Sequence, residues 1–435
     1  MADYYVYPRS VRPHGCGKAY MLRDEAGRDY FVDCGVSRPL DHATADYLRR
    51  EFPWTAPSRV LALKKTFGVG DRLGIAGPGH IACFRDNDAA PVLAQQSIRE
   101  LTLTGRSFYD VLDAATFAVF REGYLRPWGA DGDHLKSFEE IEAALHAGCT
   151  MLTLDCSALI GKGGEPSAQQ RARYLGRTFS AEEFSLRFDE AALRVCTETY
   201  GAALDFIAEV YARYIRRGNV DFEISIDETE TPTTPLQHAF VASELTERGV
   251  VFQTLAPRFC GEFQKGIDYR GDLAQFEGEI AVHAAIARSY GYKLSIHSSS
   301  DKFRVYPLIA QYTRGQFHVK TAGTNWLEAM KLVAMRDPAL YREAHALALA
   351  AFPEASTYYH VSTVLANIPP LDALTDGELP SLFTSEDARQ LIHITYGPLL
   401  RSPLRDRLFS LWRREEETYF ALLEAHIGHH LNLLG

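Results

Sequence analysis

Several features that would assign a chain to a broad class are missing from this sequence. It has no Cys-x-x-Cys pair. Its seven cysteines, Cys16, Cys34, Cys83, Cys149, Cys156, Cys196 and Cys260, are scattered. That argues against a zinc ribbon, the odd count against a set of disulfides, and together they predict buried free thiols in a reducing compartment. No apolar run is long enough to cross a bilayer, and Met1-Ala-Asp-Tyr-Tyr5 does not open a secretory leader. The expectation is a soluble cytoplasmic protein with no membrane partner. No basic run or arm stands out and the formal net charge is -10, so no nucleic-acid partner is expected. No Gly-x-Gly-x-x-Gly follows a strand-like run, which argues against a bound dinucleotide. There is no internal repeat and no low-complexity segment.

What is present is a long chain of 435 residues, 46% of them hydrophobic, enough for a large core. Residues 1–60 read as short strands and turns, a β-rich N-terminal extension. From about residue 61 to 325, β-branched runs alternate with helical periodicity. Strand-like runs fall at 66–70, 91–95, 124–129, 149–154, 220–226, 250–255, 292–296 and 316–319. Helical patterns lie between them: 107–121, a capping box at Ser137, another expected at Ser180 and running to about 217, then 235–248 and 272–290. Eight strand–helix units predict an α/β fold, a TIM-type (β/α)8 barrel, with its chemistry at the carboxyl ends of the strands. Residues 326–435 read as a helical C-terminal extension packed on that barrel.

The expected strand ends carry most of the chemistry-bearing residues. Asp133-His134 joins an acid to an imidazole: one can hold a divalent metal while its neighbour moves a proton. Alone, such a pair is more often an exposed polar loop. Two later strands end in His297 and His318, and three histidines at three strand ends suggest one metal site. Asp227, Glu228 and Glu230 crowd another strand end, where like charges favour a cation. Glu223, inside that strand, ranks second as a ligand. Arg258, Glu262 and Lys265 share a glycine-bounded loop. Asp301 and Lys302 follow a run of three serines, Lys136 follows His134, and Asp71-Arg72 sits in a glycine-rich turn. Lys320 raises a rival, a Schiff-base lysine, though more residues support the metal. His360, His393 and Tyr396 are weaker candidates.

Several long segments carry a resemblance. Gly70-Asp-Arg-Leu-Gly, Gly129-Ala-Asp-Gly-Asp-His-Leu-Lys, Ile226-Asp-Glu-Thr-Glu-Thr-Pro-Thr-Thr-Pro, Ala256-Pro-Arg-Phe-Cys-Gly-Glu-Phe-Gln-Lys-Gly-Ile-Asp-Tyr and Ile296-His-Ser-Ser-Ser-Asp-Lys-Phe resemble the bacterial tagaturonate epimerases. The likeness continues through His318-Val-Lys-Thr-Ala-Gly-Thr and His393-Ile-Thr-Tyr-Gly. A weaker one, carried by Asp133-His134 and His297, is to class II metal-dependent aldolases. The resemblance implies an isomerase of hexuronate catabolism that interconverts tagaturonate and fructuronate, related members acting on neutral ketohexoses.

On that implication, His134, Glu228, His297 and His318 are expected to hold a divalent metal ion: zinc, nickel, manganese or iron. Asp133 and Glu262 are expected to carry protons in a retro-aldol epimerisation. Substrate contacts are expected from Asp71, Arg72, Lys136, Arg258, Lys265, Asp301, Lys302 and Lys320. A metal-dependent aldolase or aldose–ketose isomerase is the nearest alternative. A non-catalytic sugar-acid binding protein is the alternative of another class. The sequence leaves the oligomeric state open, a homo-oligomer included.

Overall fold

The fold is taken from a computed structural model, which describes residues 4–227 and 229–435. Eight parallel strands close into a barrel. They are β1 (Lys65–Val69), β2 (Ala90–Ser97), β3 (Gly129–Leu135), β4 (Met151–Asp155), β5 (Asp221–Ile226), β6 (Thr254–Pro257), β7 (Lys293–Ile296) and β8 (Phe317–Thr321). The ring closes where β8 pairs with β1, His318 opposite Thr66 and Lys320 opposite Gly68. Helices wrap the outside, and their apolar faces meet the outward residues of the strands, such as Phe67, Leu152, Phe222 and Val319, all buried. This is the expected TIM-type barrel.

Local chemistry explains the helix starts. Ser107 and Ser137 accept from the backbone N–H of Asp110 and Glu140, and Gly123 and Gly148 end the same helices in left-handed conformations. The expected helix start at Ser180 is a correction. Residues Thr178–Ala181 and Phe184–Arg187 form an antiparallel hairpin turning at Glu182, which has φ +51°. The helix begins later, at Glu190, capped by Asp189. Alternating Phe179, Ala181, Phe184 and Leu186 form one apolar face there, and that period-two pattern overrode the capping signal.

The third strand is a second correction. It was expected at 124–129 and instead runs Gly129–Leu135, so Asp133 and His134 lie within the strand rather than in a loop after it. Tyr124 and Trp128 are buried against the outside of the barrel. Their hydrophobicity belongs to the connection that enters the strand.

The N-terminal extension is a five-stranded antiparallel sheet whose inner face, with Met21 and Phe31, packs on Phe117 and Phe120 of the helix Phe108–Glu122. The C-terminal extension builds its own core around Trp326, Tyr341, Leu391 and Trp412. Its last helix, Glu416–Leu434, runs back across the barrel wall through Ile427, Leu431 and Leu434. No helix among the described residues is long and apolar enough to cross a membrane. All seven cysteines are free.

Candidate active site

Inside the barrel, the polar residues recur at every second strand position. Asp131 and Asp133 on β3, Thr153 and Asp155 on β4, Glu223 and Ser225 on β5, and His318 and Lys320 on β8 are all buried. Period-two alternation points them to one interior. They stack in layers, and each layer has its own chemistry.

The lowest layer is closed. His318 Nδ1 lies 2.9 Å from Thr66 Oγ1. Burial lowers its imidazole pKa to about 3, so it stays neutral. Lys293 plugs the floor, donating to the Leu63 carbonyl at 2.6 Å and to Thr66 Oγ1 at 3.1 Å.

The middle layer is a charge cluster on Lys320. Its ammonium lies 2.7 Å from Asp131 Oδ2, 2.6 Å from Asp133 Oδ1 and 2.9 Å from Glu223 Oε1, and it donates to Thr153 Oγ1 at 2.5 Å. Burial works against that charge, but Asp131, Asp133 and Glu223 outweigh it and hold the amine protonated. A protonated amine is no nucleophile, which counts against the Schiff-base alternative. Three carboxylates around one ammonium do not share it equally. Burial, with Asp133 and Glu223 nearby, raises Asp131 to about 7. For Asp133 and Glu223 burial acts the same way, but Lys320 reverses it and keeps both ionised.

The upper layer faces a cavity of about 960 Å³ at the carboxyl ends of the strands. Ligand atoms of His134, Asp227 and His297 all lie within 4.8 Å of one another here. Each imidazole is anchored from behind by a buried carboxylate. His134 Nδ1 is 3.2 Å from Asp155 Oδ2, and His297 Nε2 is 2.8 Å from Glu223 Oε1. That leaves His134 Nε2 facing Asp133, 3.9 Å away, and His297 Nδ1 3.3 Å from Asp227 Oδ1. His297 Nδ1 is buried with no hydrogen-bond partner among the described residues. A carboxylate behind each histidine fixes its tautomer and raises its basicity, the usual support for metal-binding imidazoles. Burial alone would lower the His297 pKa, but Asp227 and Glu223 raise it to about 10. The donors of the upper layer therefore attract positive charge.

The backbone is bent to build this layer. The β3–β4 pairing slips between Gly132 and Leu135, a bulge that turns both Asp133 and His134 toward the mouth. His134 has φ +53° and Ser298, after β7, has φ +50°. Left-handed conformations are uncommon for residues with a Cβ and concentrate at functional sites.

The remaining expected residues divide between the cavity and the framework. Asp133, Glu262, Arg72, Lys136, Arg258, Lys265 and Lys320 line the cavity together with His134 and His297. Lys136 Nζ pairs with Asp155 at 3.2 Å, and Lys265 Nζ donates to Ser298 Oγ at 2.9 Å. His318 lies a layer below the cluster, on Thr66, because residues two apart on β8 fall in successive layers. Glu228 lies outside the described residues.

Asp71, Asp301 and Lys302 do not line the cavity. Asp71 accepts from the backbone N–H groups of Leu73, Gly74 and Ala76, tying the glycine-rich turn. Lys302 is fully buried and donates to the Gln264 and Ser300 carbonyls. Asp301 pairs with Arg389 at 2.7 Å and with His426, while its N–H donates to His430 Nε2. His430 spends both nitrogens there, donating Nδ1–H to the His426 carbonyl. That cluster fastens the last helix to the loop after β7.

These motifs, their order along the chain and this cavity at the strand ends can be set beside known proteins. Residues 20–434 match the tagaturonate epimerase family. The chain belongs to that family. The tagaturonate/fructuronate epimerase of Thermotoga maritima is 44% identical over an alignment 468 positions long, covering 99% of this chain and 97% of that protein. A glycerol-complexed crystal structure of the fructuronate-tagaturonate epimerase of Cohnella laeviribosi superposes with a TM-score of 0.96 at 49% identity, covering 99% of this chain and 96% of that one. Its native form gives 0.96 at 48% identity, with 100% and 97% covered. This member of the tagaturonate epimerase family is therefore an enzyme of the isomerase type.

Sequence reasoning missed part of the site. It passed over Asp155 and Asp131, ranked Glu223 second, and did not single out Asp227 from its acidic neighbours. The signal was available: Asp131/Asp133, Thr153/Asp155 and Glu223/Ser225/Asp227 are polar residues spaced by two, the period of a strand. It also ranked His360 of the C-terminal extension among the weaker candidates and passed over Tyr358 and Tyr359, yet all three form one wall of the cavity.

Proposed function

We propose that this chain interconverts tagaturonate and fructuronate by retro-aldol cleavage and re-addition, with a divalent cation held by His134, Asp227 and His297. The observation that carries this reading is the pair of imidazoles, each backed by a buried carboxylate, whose ligand atoms lie within 4.8 Å of one another and of the Asp227 carboxylate. Nitrogen and carboxylate donors of this kind suit zinc, nickel, manganese and iron. Glu228, next to Asp227 in sequence, is a candidate fourth donor. When bound, the cation supplies a Lewis acid that draws electron density from the ketone, which cleavage of the adjacent carbon–carbon bond requires.

The inverted carbon of these ketouronates is β to the ketone, so its hydrogen is not acidic and direct deprotonation fails. Cleavage of the bond to the α-carbon avoids that hydrogen. Asp133, held ionised beside Lys320, takes the proton of the hydroxyl on the inverted carbon as the bond breaks. The aldehyde fragment turns over. Glu262 then gives a proton to the new hydroxyl on the opposite face as the bond re-forms. One proton is taken and one is given. Asp133 on β3 and Glu262 in the loop after β6 lie three strands apart around the rim, both lining the cavity. Arg258 and Lys265 on the Glu262 side neutralise the uronate carboxylate.

The test is an NMR time course in deuterated water, with metal-loaded protein beside a chelated control. Conversion that requires metal and keeps the original hydrogen on the inverted carbon is expected. No conversion by folded, metal-bound protein, or solvent deuterium at that carbon, would overturn the reading. Net accumulation of fragments would mark the aldolase alternative instead.

A further inference from the structure

The retro-aldol cycle leaves its two acid/base groups in exchanged states. After one turnover Asp133 carries a proton, which must leave to solvent through the cavity it lines, and Glu262 has lost one. Glu262 must regain a proton before the next forward cycle. Asp133 is deeply buried, but Glu262 sits at the cavity mouth with its side chain 41% exposed. There it meets a residue from a different part of the chain: His360 Nε2 lies 3.1 Å from Glu262 Oε2, and the His360 side chain is 76% exposed.

This contact is built on both sides. Glu262 is fixed by a two-way backbone bridge with Arg270, in which its N–H donates to the Arg270 carbonyl at 2.7 Å. Gly261 precedes it at φ +74°, where a Cβ would collide with the Tyr269 ring and its hydroxyl. His360 belongs to the C-terminal extension, 98 residues away in sequence. Two residues further on, Ser362 locks that segment to the Glu262 loop. Its N–H and hydroxyl both donate to Gln264 Oε1, at 3.0 and 2.8 Å, and Arg270 Nη1 donates to its hydroxyl at 2.6 Å. Gln390 Nε2 reaches the same Gln264 oxygen at 3.0 Å. On the other side, the Tyr359 hydroxyl bonds that of Tyr396 at 2.8 Å, and Arg99 donates to the Tyr358 carbonyl. An exposed imidazole is thus held in place by a segment pinned on both flanks.

We propose that residues 358–362 form a strap that completes the active site, and that His360 is a positioning and proton-exchange residue for Glu262. The proposal rests on the acid/base role given to Glu262 above. Between turnovers the His360 imidazolium gives its N–H proton to the Glu262 carboxylate, and the neutral imidazole regains one from a buffer acid or hydronium. In the reverse direction the proton travels outward by the same two atoms. Imidazole suits this task because one ring nitrogen can give a proton while the other takes one up.

The experiment uses the metal-loaded full chain and compares wild type, His360→Ala, His360→Gln and Glu262→Gln. His360→Ala is expected to keep its thermal midpoint and KM while kcat falls by about tenfold. That is less than the ~10²–10⁴ contributed by a positioned acid/base group, because water also exchanges with Glu262. Added imidazole is expected to restore kcat in His360→Ala and to leave wild type unchanged. His360→Gln, which can donate a hydrogen bond but cannot relay a proton, is expected to stay slow. An unchanged kcat in His360→Ala, a loss that imidazole does not repair, or full activity in His360→Gln would overturn the proposal. Glu262→Gln separates the two levels: if it keeps wild-type kcat, the acid/base reading falls and takes this proposal with it. If it is inactive while His360→Ala is unaffected, only the proposal falls.

Discussion

Lys320→Met tests the centre of the barrel. The ammonium is 4% exposed and sits within 2.9 Å of oxygens from Asp131, Asp133 and Glu223. Methionine fills a similar volume, so the perturbation removes the charge and leaves the packing largely intact. Removing one partner of a buried ion pair costs about 3–5 kcal/mol, because the remaining charge is left uncompensated in a poor solvent. For a chain of 435 residues, with an unfolding entropy of about 2.1 cal/mol/K per residue, that corresponds to a fall in Tm of roughly 3–6 °C.

The pH dependence gives the sign. Lys320 holds Asp133 and Glu223 below the ordinary carboxylate range. A depressed folded pKa stabilises above the unfolded value, near 4, and that stabilisation is lost as pH falls through the folded one. Without Lys320 the same two carboxylates take up protons at higher pH, which relieves the variant on acidification. The gap between wild type and variant is therefore widest near neutrality and shrinks toward pH ~4. The assay is calorimetry of chelated protein across that range, with kcat measured in parallel on metal-loaded protein. Loss of an ionised Asp133 is expected to lower kcat by about 10²–10⁴. Adding Asp131→Asn should recover part of the lost Tm. A Tm change under about 1 °C at neutral pH, or an equal loss at both ends of the range, would refute the argument.

The metal reading makes its own pH prediction. In metal-free protein the His297 pKa stands at about 10, so its contribution is fully present below the ordinary value of about 6.5 and is lost as pH rises through about 10. Chelated protein should lose Tm over that window and metal-loaded protein should not, while metal affinity measured by calorimetry rises with pH as the proton on His297 becomes easier to displace. An affinity independent of pH would count against His297 as a ligand. Two lysines from neighbouring loops should behave oppositely. Lys265→Met is expected to raise KM for the uronate by about 10–100-fold, the loss of one charge-assisted hydrogen bond, while leaving Tm unchanged. Lys302→Met should lower Tm with little change in KM, because its ammonium serves backbone carbonyls. The reverse pattern would show that the carboxylate lies on the far side of the β7 loop.

The barrel was readable from the sequence because its strands announce themselves twice, by β-branched runs and by the helical stretches between them. Seven of the eight expected strands share two or more residues with those observed. The third shares only Gly129, because in β3 the inward positions carry Asp131 and Asp133 while Gly132 has no side chain to mark the outer face. A Cβ at Gly132 would lie 2.7 Å from that of Ala144, so the strand needs the glycine to let its helix approach. The residues that make the strand possible therefore remove the hydrophobic pattern by which strands are recognised.

The same reasoning explains which site residues were legible. His297 and Lys265 were expected at the cavity because they follow visible strand ends, and Asp133-His134 because an acid beside an imidazole is conspicuous even where its strand is not. Asp155 and Asp131 were hidden, and Glu223 ranked only second, because they act from inside the barrel, where their role depends on facing a partner from another strand. Glu223 meets His297, and Asp155 meets His134, only when the ring closes. Lys302 and Asp301 were misjudged for the converse reason: they adjoin a strand end in sequence, but at Asp301 the backbone turns into a left-handed conformation and carries both side chains behind the wall. Sequence proximity to a strand end thus identifies the loop that borders a cavity, but not which of its side chains enter. In this enzyme that choice falls to backbone conformation, at the β3 bulge, at Ser298 and at Asp301. A substitution that relaxes one of those three conformations should change which groups face the substrate without touching any of the groups themselves.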